Sequence, residues 1–287
     1  MRKGIFAKIA AVGVSAALAA VALAGCGGSS ESGSDGNVYR TLEEIQESGT
    51  IKIGVFSDKN PFGYMDENGE YQGYDIYLGN QLAEDLGVEV EYVSTEAANR
   101  VEYLETGKVD MILANFTVTD ERAQKVDFCN PYMNVSLGVV SPEDAVVESL
   151  DDLGADDAVI VISGTTAETY LTENYPDLTL KKFETYASAK TAFENKEGVC
   201  WANDNTEVMA FASQTEGYVV GIPELGGTDT IAPAVSKGNT TLLEWVNEDM
   251  AKLGSENFFH KDYEETLMDT YGPEYEDTLV VEGVPAE

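Results

Sequence analysis

Between Ile51 and Ala114, short β-rich runs alternate with helical stripes, and that alternation is the strongest constraint on what this chain can fold into. Ile51 to Val55 and Val88 to Val93 alternate as strands, and Val109 to Ala114 is an apolar run of the kind buried on both faces of a sheet. Asp75 to Leu86 carries apolar residues at Ile76, Gly79, Leu82, Ala83 and Leu86 and closes at Gly87, while Ala97 to Thr106 reads as a helix closed by Gly107. Strand, helix, strand, helix, strand implies right-handed crossovers and a mostly parallel sheet. The loops at the carboxyl ends of its strands then converge, and open α/β sheets bind ligands there.

Those loops are Phe56 to Phe62, Thr95 to Arg100 and Asn115 to Arg122. In the last, Thr119 caps a helix whose first turn is Asp120, Glu121 and Arg122, which brings a guanidinium beside exposed backbone N–H groups. Such a fork of donors suits a small carboxylate; it equally suits pairing with Asp120 or Glu121 on a wet surface. Asp66 to Gly69 signals a hairpin turn between Tyr64 and Tyr71. A calcium loop there would place Tyr64 at its first ligand position, which excludes that reading.

Val135 to Val140 is a further strand, and Ser141-Pro142 opens a second unit. Ala158 to Ile162 leads into Ser163-Gly-Thr-Thr-Ala-Glu168, a glycine turn entering a helix, which is either an anion cradle or a plain cap. Strands at Leu180 to Phe183 and Val199 to Ala202 flank a helix at Ser188 to Asn195, and the second strand runs into Asn203-Asp204-Asn205. Ile231 to Val235 can carry the chain back to the first unit, and helices at Thr240 to Leu253 and Phe258 to Thr270 follow.

A chain of 287 residues makes one large domain or two lobes. Its formal charge of −35 leaves no basic footprint for nucleic acid, and the acidic run Glu148 to Asp157 reads as a solvated loop. Arg2, Lys3 and Lys8 precede an apolar run, Ile9 to Ala24, of the kind that directs secretion; without these three cations the charge deepens to −38. Cys129 and Cys200 lie in apolar contexts as two buried thiols, and one histidine, His260, leaves little room for histidine-based chemistry. No metal or cofactor is expected.

Arg122 with Thr117 and Thr166 for a carboxylate, and Asp204 for an ammonium, form a set that matches a zwitterion. The motifs Gly73-Tyr-Asp-Ile76, Thr117-Val-Thr-Asp-Glu-Arg122, Val126-Asp-Phe128, Pro131-Tyr132, Gly164-Thr-Thr166 and Asp204 resemble the bacterial extracellular solute-binding proteins for polar amino acids that serve ABC importers. The resemblance covers nearly all of Ile51 to Tyr271. It implies a two-lobed α/β periplasmic-binding-protein fold that captures a solute without chemistry. It further implies that Arg122 grips the ligand carboxylate, Asn115 and Thr117 assist, Thr166 adds contacts from the second lobe, and Asp204 takes the amino group.

A narrower likeness concerns the ligand. Val55-Phe-Ser-Asp-Lys-Asn-Pro-Phe-Gly-Tyr64, Glu96-Ala-Ala-Asn-Arg-Val-Glu102, Leu113-Ala-Asn-Phe-Thr117 and Asp204-Asn-Thr206 are similar to the cysteine-binding lipoproteins of that family, whose relatives bind aspartate and glutamate. Cysteine is the first expectation; aspartate or glutamate, then cystine or glutamine, are the alternatives. Arg100 is the expected distal group in the cleft. Lys59 stands where many relatives place an aromatic ring, so Phe56 or Phe62 would supply any stacking, and Lys59 is otherwise a solvated loop charge. The departure Cys200-Trp-Ala-Asn203 makes Trp201 either pocket floor or core.

Leu23-Ala-Gly-Cys26 resembles the bacterial lipoprotein signal, implying cleavage after residue 25, acylation of Cys26 on the outer face of the cell membrane, and a Gly/Ser-rich tether over residues 26–37. Residues 38–140 and 232–287 are then the first lobe and 141–231 the second, with hinge crossings near Val140 and Ile231. The expected partners are a free amino acid and the permease of the importer, with the protein acting as a monomer. Two other classes use such a chain: a cyclohexadienyl dehydratase-like enzyme with Glu168 or Glu173 as general acid, and a surface adhesin.

Overall fold

The computed structural model describes residues 38–154 and 156–284. The signal segment, the tether and Cys26 lie outside the described residues. The described chain opens with α1 (Leu42–Ser48), entered through a capping box in which Thr41 and Glu44 satisfy each other's backbone N–H groups. Strand β1 (Thr50–Val55) follows, then three short strands that form a sheet of their own, β2 (Asp58–Lys59), β3 (Gly63–Met65) and β4 (Tyr71–Gln72). The turn joining β3 to β4 is the Asp66 to Gly69 hairpin.

Next come α2 (Tyr74–Leu86), β5 (Glu89–Ser94), α3 (Arg100–Glu105), β6 (Met111–Ile112), α4 (Asp120–Ala123) and β7 (Val126–Phe128). Strand β8 (Met133–Pro142) begins the second half, with β9 (Ala158–Ile162), α5 (Thr166–Asn174), β10 (Thr179–Phe183), α6 (Tyr186–Glu194), β11 (Cys200–Asp204) and α7 (Asn205–Gln214). The chain returns along β12 (Tyr218–Ile231) to β13 (Ala234–Ser236) and finishes in α8 (Thr240–Ser255), α9 (Phe258–Thr266), α10 (Met268–Tyr271) and α11 (Glu276–Leu279).

Two five-stranded sheets result, ordered β5-β1-β6-β13-β7 and β10-β9-β11-β8-β12. In each, three neighbouring strands pair parallel, as the crossover helices require. Four of the five strands in each sheet run the same way, and the sheets are mixed only because β13 and β8 arrive from the other half of the chain without a crossover helix and pair antiparallel with both neighbours. Strand β8 pairs with β11 and β12 in the second sheet. Val135 to Val140, expected in the first lobe, therefore belongs to the second sheet, and the chain leaves the first sheet between Phe128 and Met133 rather than near Val140. It returns between Ile231 and Ala234.

Burial follows the alternation. Ile51, Ile53 and Val55 of β1 pack with Leu78 and Leu82 of α2 and with Val246 and Met250 of α8. In the second sheet Val159 and Val161 face one core while Ile160 and Ile162 face the other, the two-residue period of a strand covered on both sides. Each such side chain contributes about 1.5–3 kcal/mol by leaving water. Trp201 belongs to this packing: it is buried between Phe193 and Phe211, which makes it core and not pocket floor. Cys129 and Cys200 are free buried thiols, and burial pushes the Cys200 thiol up to about 12. His260 lies early in α9 and bridges Glu276 and Glu282, which fastens the end of the described chain.

The longest strand, β12, has no counterpart in the sequence reading. Its Gly221, Pro223, Gly226 and Gly227 punctuate like a loop, yet an edge strand tolerates them, and the register against β8 shifts at three places. Near the first sheet the same two strands form a ribbon, Asp229, Thr230 and Ile231 against Val135, Asn134 and Met133.

Candidate functional site

The site is assembled from loops that leave the carboxyl ends of both sheets. From the first sheet, β1 ends at Phe56 and β2 carries Lys59, while β6 leads into Asn115, Phe116 and Thr117. Thr119 caps α4 by accepting from the Arg122 backbone N–H at 3.2 Å, and Val118 is held by the Thr230 carbonyl at 2.9 Å. Only Met111 and Ile112 of the expected Val109 to Ala114 run form regular ladder, but the run is buried throughout and its backbone still bonds to β1 through Asp110 and Leu113. The expected Ala97 to Thr106 helix starts as a 3₁₀ turn at Ala97–Asn99 before α3 begins at Arg100.

Arg122 and Arg100 flank the ring of Phe116, with their guanidinium carbons 4.8 and 4.4 Å from its centroid. Arg122 donates to the Thr117 carbonyl at 2.7 Å and to the Gly164 carbonyl at 3.0 Å. Arg100 donates to the carbonyls of Ala97, Ala114 and Asn115, and at 3.2 Å to the same Gly164 carbonyl. Neither guanidinium has a carboxylate within ion-pair distance among the described residues. Burial, and then the Arg100 charge, push the Arg122 guanidinium down to about 9.

Gly164 belongs to the turn before α5, with φ +78°, and a Cβ there would stand 2.5 Å from the Ala98 Cα. Only glycine lets that turn press on the first-sheet side so closely. The α5 cap is Thr165, whose hydroxyl accepts from the Glu168 N–H at 3.3 Å. Thr166, the first residue of α5, lines a cavity of about 300 Å³ together with Arg122, Leu137, Tyr170 and Asp229. Glu168, a candidate general acid in the enzyme reading, accepts from the Gly164 N–H and pairs with Lys182, each at 2.7 Å, so it is committed to the turn itself.

Lys59 is not a solvated charge. It is 0 % exposed, its ammonium donates to Asp204 Oδ2 at 3.0 Å and to Asn115 Oδ1, and the rings of Tyr186, Phe62 and Phe56 surround it at 4.8, 5.2 and 5.7 Å. Burial alone would lower its pKa, but Tyr186, Asp204 and Glu207 outweigh that and the net shift is upward. Phe56 meets Tyr186 edge-on, 5.1 Å between centroids. Phe62 packs against Tyr74 within the first core. Asp204 stands at the end of β11, and its Oδ1 accepts no hydrogen bond among the described residues.

The expected residues Arg122, Arg100, Asn115, Thr117, Lys59, Phe56 and Asp204 thus come together, with Thr166 at the cavity wall. Three further residues escaped the sequence reading. Tyr186 begins α6 two residues before the expected start; Thr185, which accepts from Ser188 N–H at 3.1 Å, was the cap signal that marks it. Glu207, in the first turn of α7, is buried and pairs with Lys190 at 3.2 Å. Asp75 lies behind the site: it accepts from the Asn115 N–H at 3.0 Å and from the Tyr132 hydroxyl at 2.5 Å, holding Asn115 at φ 43°. Burial raises the Asp75 carboxyl to about 7 against the pull of Tyr132 and Lys59.

Residues 51–266 match the model of the bacterial extracellular solute-binding proteins, family 3. The chain belongs to that family. It is therefore a solute receptor and not an enzyme. Among solved structures it is similar to a cysteine-binding protein from Campylobacter jejuni, at 45 % identity and TM-score 0.82 over 84 % of this chain and 98 % of that one. It is equally similar to a solute receptor for L-cysteine of Neisseria gonorrhoeae, at 45 % identity and TM-score 0.81 over 84 % of this chain and 100 % of that one. An ABC transporter glutamine-binding protein from Bacillus subtilis is 28 % identical over 91 % of this chain and 97 % of its own length. The family member described here has the two-sheet α/β architecture of these solved receptors.

Proposed function

We propose that this protein captures L-cysteine outside the cell membrane and delivers it to the permease of an ABC importer. The observation that carries the reading is the pair of guanidiniums, buried Arg100 and half-buried Arg122, bonded among the described residues only to backbone carbonyls and both feeling the Asp204 charge from the second-sheet side. Two neighbouring cations with neutral partners are an unmet demand for a carboxylate. Arg122 takes the α-carboxylate with help from Thr117 and Asn115, Thr166 closes over it from the second lobe, and Asp204 receives the α-ammonium on its free oxygen. Phe56 and Arg100 bound the side-chain end. The 45 % identity to two cysteine receptors supports cysteine over glutamine.

The lobes move as bodies about the two crossings, Phe128 to Met133 and Ile231 to Ala234, with the β8–β12 ribbon as the flexible link. The first lobe comprises residues 38–132 and 232–284, and the second the residues between. A closed form is supported by the approach of Gly164 to Ala98 and by the bridge from Lys59 to Asp204. The closed form presents the surface that the permease reads, and a lipid on Cys26 keeps the monomer at the outer face of the membrane.

Titration calorimetry of the solute-free protein with the twenty amino acids and cystine tests the reading. Cysteine should bind more tightly than all the others. Failure of every amino acid to bind below about 100 μM, roughly −5.5 kcal/mol, would remove the transport function. Aspartate or glutamate is the second reading, favoured by the three cations Lys59, Arg100 and Arg122 around the cleft.

A further inference from the structure

The charge around the closed cleft does not balance. Lys59, Arg100 and Arg122 enter from the first-sheet side, and the Asp204 carboxylate from the second-sheet side offsets one of them. Glu207, behind Asp204, is matched by Lys190. Asp75, near Lys59 and Arg100, offsets a further charge only in part, since burial raises its carboxyl to about 7, and both its oxygens already serve Asn115 and Tyr132. Burial raises the phenols of Tyr186 and Tyr132, so both are neutral there. Glu121 and Asp229 lie exposed at the rim by Arg122, where water screens them.

A zwitterion brings one carboxylate and one ammonium and leaves this surplus untouched. One additional negative charge on the ligand reduces it. The position that best senses such a charge is Lys59. Its ammonium shares the Asp204 carboxylate at 3.0 Å, so a side-chain group two carbons from a ligand ammonium on Asp204 Oδ1 comes within its reach. When that oxygen takes a second ammonium, Lys59 loses part of its counter-charge and gains most from a new anion.

Resting on the reading of this cleft as an amino-acid site, we propose that it binds its ligand as a net monoanion, with Lys59 facing the ligand's side chain. Cysteine then enters as its thiolate: the S–H bond breaks on binding, the electron pair stays on sulfur beside the Lys59 ammonium, and the proton passes to the buffer. A free thiol titrates at about 8.5, so at pH 7 nearly every bound molecule has given up a proton.

The test is calorimetry at pH 7 in buffers of different ionisation enthalpy, which counts protons released per ligand bound. Serine serves as the reference, because any proton that Asp75 exchanges on closure is common to both ligands. Cysteine should release close to one proton more than serine and bind at least ten-fold more tightly. Lys59→Met should remove most of that difference, and Lys59→Arg should retain it. Aspartate against asparagine supplies an arm independent of cysteine. A ten-fold preference for aspartate with no cysteine binding keeps the charge selection and overturns the cysteine assignment. Equal binding of aspartate and asparagine, with cysteine bound but no excess proton over serine, overturns the charge selection while leaving the transport reading standing.

Discussion

The two sides of the cleft are built from different chemistry. The first-sheet side contributes Lys59 from β2, Arg100 from α3 and Arg122 from α4, whereas the second-sheet side contributes the Asp204 carboxylate and the Gly164 carbonyl. Apart, one side carries a cluster of like charges and the other an acid without its partner. Closure therefore joins opposite charges as well as apolar surface such as Phe56 on Tyr186. Low-dielectric surroundings make each of these pairings matter more than it would on a wet surface.

The sharpest way to break this division is Asp204→Ala, which leaves Lys59 buried without the one carboxylate it is bonded to. Urea unfolding should show a loss of about 3–5 kcal/mol, and amino-acid binding should fail. Unchanged stability would mean that Lys59 swings out to water and that the two sides are not charge-coupled. Next in its effect on binding is Arg122→Ala, which should weaken every amino acid by about 100-fold or more in calorimetry, near 2.7 kcal/mol, because it removes a charged donor from the shared carboxylate. A loss confined to particular side chains would move the carboxylate grip to Arg100.

Asp75 tests the rigidity of the cationic side through pH. Its folded pKa is raised from the ordinary 3.8 to about 7, so the folded state holds that proton more tightly. The resulting stability is full below about pH 4 and is lost as pH rises through 7. Asp75→Asn removes this dependence: between those limits wild type should lose on the order of 3–4 kcal/mol more than the variant in thermal or urea unfolding. Parallel curves would show that Asp75 does not titrate in this window. The smallest effect is expected at Gly164→Ala, where strain at φ +78° and the contact with Ala98 should cost closure about 1 kcal/mol, a five-fold weaker ligand affinity. A variant with native affinity would show that the lobes close without this contact.

Much of the fold was readable because buried strands and amphipathic helices obey local periods. Asp75 to Leu86 and Ala158 to Ile162 agree with the structure to within a residue. What failed depended on partners distant in sequence. Strand β12 looks like a loop on its own and becomes a strand only against β8. Val135 to Val140 was recognised as a strand, but nothing local states which sheet it joins. In the site, the cap Thr119 delivered Arg122 as expected from four residues. The burial of Lys59 could not be read locally, since it comes from Asp204, 145 residues away, and from rings on both sides. Arg100 and Arg122 likewise gave no sign that one phenylalanine, Phe116, lies between them.

The Gly164 carbonyl, which accepts from both Arg100 and Arg122, has a spectroscopic consequence. Two charged donors on one oxygen weaken its carbon–oxygen stretch, and both are lost together when the lobes part. A ¹³C=¹⁸O label at that single peptide would absorb at low frequency in the closed protein and shift upward on opening. The molecule thus carries an infrared gauge of its own closure, one that needs no dye and no added mass at the interface.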